Sequence, residues 1–168
     1  MSPFTTAAGR EKRVLVADMD STIIGCECID ELAALAGIEA EVAEITERAM
    51  AGELDFDGAL RARVGLLEGL PEAAVERVWT ERIRLNPGAR VLVRTMAARG
   101  ARTVLVSGGF DVFTARVAEA AGFATHRANR LIVEDGRLTG RVAEPVLGRA
   151  AKRAALEAET VALGLGPE

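Results

Sequence analysis

The stretch Arg13 to Thr22, RVLVADMDST, opens as a short β-branched apolar run and breaks abruptly into acidic and hydroxyl residues. A run of that length, apolar on both faces, reads as a strand buried inside a parallel sheet. It ends on Asp18, and the chain then turns through Met19-Asp20-Ser21-Thr22. Open α/β sheets take ligands at the carboxyl ends of their strands, so both aspartates stand where a site is expected.

Working outward, the sequence from Glu27 to Arg84 carries no convincing strand. Ile29, Leu32, Ala33 and Ala36 recur at helical spacing, as do Phe56, Leu60, Val64 and Leu67. Breaks at Gly37, Gly52 and Gly69-Leu70-Pro71 divide the segment into helices near 27–36, 39–51, 55–68 and 71–84. Asn86-Pro87-Gly88 marks a turn into a helix over 88–99. Strand–helix alternation then resumes. Arg102–Val106 (RTVLV) reads as a second buried strand, Ser107-Gly108-Gly109 as a glycine turn, and Phe110–Ala121 as a helix. Phe123–His126 is a third strand, and Asn129–Val142 a hairpin turning at Glu134-Asp135-Gly136. A last helix covers Gly148–Leu163. The pattern predicts an α/β protein: a Rossmann-like parallel-sheet core (13–26 and 85–168) with a four-helix cap inserted at 27–84, preceded by a loosely held arm at 1–12.

Composition narrows the function classes. The 168 residues suit one compact domain or a core carrying a small insertion, and 49% hydrophobic with 27% charged residues is ordinary for a globular protein. A net charge of −4, with Lys and Arg scattered, argues against nucleic-acid binding. Met1–Arg10 lacks the apolar run of a secretory signal, and no later run is long enough to cross a membrane. Cys26 and Cys28 are too close for an unstrained disulfide, so a reducing cytoplasm is expected. With His126 as the one imidazole, the two thiols make a poor metal site. His126 and Trp79 are expected to have packing roles only.

Several groups carry chemistry. A carboxylate fixed at a strand end, Asp18, suits a nucleophile, and Asp20 two residues on suits proton transfer on the other side of the reacting atom. Asp-x-Asp alone also describes acidic residues capping a turn; the preceding strand and Thr22 favour the chemical reading. Ser107, Gly108 and Gly109 leave backbone N–H groups open ahead of a helix, which attracts phosphate; alone they also read as an N-cap with turn glycines. Lys152, opening the last helix, taken alone reads as a solvated surface group; delivered to a phosphate it would neutralise transition-state charge. Glu27 and Arg63 would match an ammonium and a carboxylate, although taken alone they read as surface charges. Met50 and Phe56 read as core residues that could also line a pocket.

Taken in order, these pieces resemble phosphoserine phosphatases of the haloacid dehalogenase superfamily. DMDSTIIGCECIDELA resembles their first motif and cap entry, DFDGALRARVGLLEGL their substrate-binding cap segment, and VLVSGGFDVFTARVAEAAGF their second motif. ANRLIVEDGRLTGRV resembles their hairpin, and EPVLGRAAKRAAL the third motif, which places its lysine at Lys152. The resemblance implies Asp18 as the nucleophile that forms an aspartyl-phosphate and Asp20 as general acid, then base. It implies Mg²⁺ on the Asp18 carboxylate and the Asp20 main-chain carbonyl, and phosphate on Ser107, Gly108 and Lys152. It implies Glu27 and Arg63 on the serine ammonium and carboxylate, with Met50 and Phe56 closing over them. The family continues with a Gly-Asp-Gly-x-x-Asp-type motif that supplies a further Asp ligand, and nothing like it stands before Glu168. From this the expectation is an incomplete core, weak Mg²⁺ binding, low activity, and self-association through an open edge of the first strand. Competing expectations are an inactive phosphoserine-binding module, another phosphatase or phosphotransferase of the superfamily, and a phosphate-accepting signalling domain; the long insertion argues against the last.

Overall fold

The computed structural model describes residues 12–148 and 150–164. The expected arm, apart from Lys12, therefore lies outside the described residues. Strands β1 (Val14–Ala17), β2 (Arg102–Phe110) and β3 (Thr125–Asn129) form a parallel sheet in the order β1-β2-β3. Among the described residues no strand pairs with the other side of β1.

Alternation along these strands sends side chains to two layers. Val16, Val104 and Val106 pack against Ala151 and Ala155 of α7 (Ala150–Ala162). Leu15, Ala17 and Leu105 join the larger core on the opposite face, with Phe110, Phe113 and Val117 of the β2–α6 unit (α6, Asp111–Ala121) and Val93 of α5 (Ala89–Ala98). Thr103 to Ser107 are all buried, as a central strand covered on both faces must be.

Between β1 and α5 lie four helices: α1 (Cys28–Ala36), α2 (Glu39–Met50), α3 (Phe56–Gly65) and α4 (Ala73–Glu81). Local signals set their ends. Asp55 caps α3 by accepting from the Gly58 N–H at 2.7 Å, and Gly37, at φ 71°, ends α1 in the left-handed conformation that a side chain resists. The third helix stops earlier than its apolar spacing suggested, because the chain turns through Leu66–Gly69. Strands β4 (Leu131–Glu134) and β5 (Arg137–Val142) make the expected hairpin. Asp135 and Gly136 both have positive φ, as a two-residue turn matched to strand twist requires.

Two expectations need correction. Ser107-Gly108-Gly109 is not a turn: β2 continues through it to Phe110, with its pairing to β3 shifted between Val106 and Phe110. The third strand runs over Thr125–Asn129, so Asn129 closes the parallel sheet and does not open the hairpin.

The insertion is joined to the sheet at its two crossings by Asn86. Its side-chain amide donates to the carbonyls of Thr22 (2.8 Å) and Ile24 (3.2 Å), and its N–H donates to Ile23 O (2.8 Å). The hairpin also reaches the insertion through the main chain. Gly69 N–H donates to Leu138 O (2.8 Å), Leu138 N–H to Leu70 O (2.9 Å) and Glu72 N–H to Gly136 O (2.9 Å). On the far side Arg116 of α6 forms an ion pair with Glu76 of α4 and stands 5.8 Å from the Trp79 ring centroid. Trp79 thus packs as expected, and His126 meets the Thr114 hydroxyl at 3.0 Å.

Candidate active site

A cavity of about 330 Å³ opens at the carboxyl ends of β1 and β2, beneath the insertion. Asp18, Asp20, Glu27, Phe56, Arg63, Ser107, Gly108, Gly109 and Lys152 all line it. Nine of the ten site residues expected from the sequence therefore share one space. Met50 is the exception. It is the last residue of α2 and is 85% exposed, because the buried side of that helix is centred on Val42.

The sheet side of the cavity is a hydrogen-bonded unit. Asp18 accepts from the Met19 N–H at 2.9 Å through one carboxylate oxygen, and the other pairs with the Lys152 ammonium. Lys152 lies in the first turn of α7, so the packing of that helix on β1 and β2 delivers the ammonium to the strand end. Asp20 accepts from the Cys28 N–H (3.0 Å) and from the Ser107 hydroxyl (3.2 Å), and Ser107 Oγ accepts from the Gly109 N–H (2.8 Å). Burial raises the Asp20 carboxyl above the ordinary carboxylate range, with the Asp18 charge adding to it; the bonds from Cys28 and Ser107 oppose the rise without cancelling it. Close approach explains Gly109: a Cβ there would stand 2.6 Å from Asp20 Oδ2.

The insertion side is looser. Glu27 accepts from the Ser21 hydroxyl at 2.6 Å, and burial raises its carboxyl as well, with nearby acidic groups adding to the effect. Arg63 donates through Nε to Ala59 O one turn back, at 3.3 Å, which leaves its terminal nitrogens for a ligand. Phe56 remains 40% exposed yet covers the strand end: a Cβ on Gly108 would meet its ring at 2.8 Å. Ile29, Leu60, Val106, Phe110 and Gly148 also line the cavity and were not singled out from the sequence. Leu60 stands one helical turn from Phe56, which is the signal that could have identified it. Cys26 and Cys28 are free thiols that burial and neighbouring carboxylates push up, Cys26 to about 11, so neither is poised as a nucleophile.

Two carboxylates, a lysine, a hydroxyl and glycine backbone, all converging on one cavity at strand ends, make a site for an anion and for proton transfer. Residues 15–168 match the model of the haloacid dehalogenase-like hydrolases. The chain belongs to that family. It is 45% identical over 168 residues to a phosphoserine phosphatase of Archaeoglobus fulgidus, covering all of this chain and 48% of the relative. It is 47% identical over 156 residues to one of Streptomyces coelicolor, covering 93% of this chain and 38% of the relative. The chain thus spans about half, or less, of the length of these two relatives. Among solved structures, a substrate-bound phosphoserine phosphatase complex superposes with a TM-score of 0.84 at 41% identity, covering 94% of this chain and 74% of the other. A phospho-aspartyl intermediate analogue of phosphoserine phosphatase gives 0.83 at 41%, covering 94% and 75%.

The oxygens of Asp18 and Asp20 suit a hard cation. Mg²⁺ takes six oxygens and usually keeps several waters. Among the described residues no three His, Cys, Asp or Glu side chains gather to hold a metal. Two carboxylates lining one cavity are hard oxygen donors, so the donor chemistry present fits a hydrated Mg²⁺.

Proposed function

We propose that this chain carries the site of a phosphomonoesterase acting on O-phospho-L-serine. The observation that carries the proposal is the grouping of Asp18, Asp20, Ser107 and Lys152 at two adjacent strand ends, with Glu27 and Arg63 across the same cavity. An Asp18 carboxylate oxygen forms a bond to phosphorus as the bond from phosphorus to the serine oxygen breaks. Asp20, whose burial favours the protonated form, gives its proton to the departing serine oxygen. Water then attacks the aspartyl-phosphate, the bond between Asp18 and phosphorus breaks, and the water's proton passes to Asp20. Lys152 and the Ser107–Gly109 segment hold the phosphoryl oxygens, while Arg63 takes the substrate carboxylate and Glu27 its ammonium. Mg²⁺, bound by the Asp18 carboxylate and the Asp20 carbonyl, would neutralise charge on the phosphoryl oxygens. Phe56 over Gly108 excludes water from the reacting end.

The test is phosphate release from L-phosphoserine in Mg²⁺, with Asp18→Asn as the control and a sugar phosphate as the competitor. Release above the control, and faster than from the sugar phosphate, supports the assignment. Equal rates for both substrates remove the amino-acid specificity. Tight phosphoserine binding with no release assigns the chain a binding role.

A further inference from the structure

Asn129, at the end of β3, is 2% exposed, and its amide is used on both sides. Nδ2 donates to Gly108 O at 2.8 Å and to Leu147 O at 3.2 Å, and Oδ1 accepts from the Leu147 N–H at 2.7 Å. Only an amide side chain presents two donors and an acceptor in one plane while staying neutral. The bonds to Leu147 hold the segment that enters α7 and carries Lys152. The bond to Gly108 acts through peptide geometry. A carbonyl and the following N–H point in opposite directions from one rigid plane. Fixing the Gly108 carbonyl on Asn129 therefore aims the Gly109 N–H at Ser107 Oγ, where it stands at 2.8 Å, and Ser107 in turn reaches Asp20. One series of hydrogen bonds runs from Leu147 through Asn129, the Gly108–Gly109 peptide and Ser107 to Asp20. The same amide replaces the strand pairing lost where β2 and β3 shift register.

Granted the phosphate site proposed above, we infer that Asn129 is its positioning residue: it sets the Gly108–Gly109 peptide and the entry of the Lys152 helix as one unit, and touches no reacting atom itself. A neutral amide is required. An ionised carboxylate in its place would face two carbonyl oxygens with no proton to donate, and only the protonated acid restores a donor.

The experiment is calorimetric titration of inorganic phosphate into the wild-type chain, Asn129→Ala and Asn129→Asp in Mg²⁺ between pH 5 and 8, with circular dichroism recorded on each. Both variants are expected to bind phosphate at least about tenfold more weakly at pH 8, the equivalent of losing one well-oriented hydrogen bond. The deficit of Asn129→Asp relative to wild type at the same pH should shrink as pH falls, while that of Asn129→Ala stays constant. Circular-dichroism spectra and melting midpoints that match wild type across that pH range separate this difference from a loss of fold. Folded variants that bind phosphate like wild type overturn the inference and leave the phosphate site standing. A wild-type chain that binds no phosphate overturns the site and the inference together. If neither variant folds, nitrogen-15 spectra of the wild type decide. Phosphate should shift the Asn129 side-chain amide along with the Gly109 amide, and a shift at Gly109 alone overturns the inference.

Discussion

The two walls of the cavity are built differently. On the sheet side, each group hangs from a strand end or a helix packed on the sheet, and Asp20, Ser107 and Gly109 hold one another through bonds of 2.8 to 3.2 Å. On the insertion side, Arg63 rests on its own helix and Phe56 is 40% exposed, while Met50, outside the cavity, is 85% exposed. The sheet wall is organised before a ligand arrives, whereas the insertion wall still has donors and apolar surface to commit. The sheet side should therefore govern chemistry and the insertion side substrate choice.

Substitutions can test that division. Asp20→Asn should have the largest effect, lowering kcat for phosphoserine by about 10²- to 10⁴-fold, measured as phosphate release. It should also raise the melting temperature at pH 7. Burial raises the Asp20 carboxyl in the folded state, so its favourable share of stability is complete below the ordinary carboxylate range and is lost as pH rises through the raised folded value. At neutral pH the buried charge is a burden; its removal should add roughly 2–4 °C, an advantage that fades in acid. A lower midpoint at pH 7 would mean that the bonds from Cys28 and Ser107 outweigh burial. Gly109→Ala comes next: a methyl 2.6 Å from Asp20 Oδ2 must displace that carboxylate, with a loss of about 10²-fold in kcat and little change in KM.

On the other wall, Arg63→Gln should raise KM for phosphoserine by about 10- to 100-fold with kcat nearly intact, and should leave inorganic phosphate binding unchanged. A fall in kcat as large as that of Gly109→Ala would erase the contrast between the walls. Met50→Ala should do least, keeping KM within about twofold, since the side chain is in solvent. A larger rise would show that α2 folds over the substrate once it binds.

The sequence made some of this plain and hid the rest, for physical reasons. Val104–Val106 was recognisable because a doubly covered strand has to be apolar, and Val14–Ala17, half-buried, shows the same short apolar run. Of the four helices, α1 and α3 were recognisable from apolar residues at helical spacing, and α2 and α4 from the glycine and proline breaks beside them. Their ends were less so: α3 gives way after Gly65 where its chain must reach the hairpin, a tertiary demand with no local mark. The path of Ser107-Gly108-Gly109 was hidden for the same reason. Glycines carry little preference of their own, and an amide at position 129, far along the chain, holds them extended. Asp18 and Asp20 were found through residue type and strand position, and Lys152 through the resemblance of EPVLGRAAKRAAL to a family motif. Met50 was placed in the pocket by resemblance, and local helix burial puts it in solvent.

The docking of the hairpin on the insertion changes what counts as a part. Residues 27–84 look like a module that could be cut out and grafted onto another sheet. Yet Gly69, Leu70 and Glu72 share three main-chain hydrogen bonds with Gly136 and Leu138, and Arg137 reaches Gly69 O at 2.7 Å. A transplant that leaves the hairpin behind would expose those peptide groups. The portable piece is therefore discontinuous, and the recipient must accept four chain crossings, two for the helices and two for the hairpin.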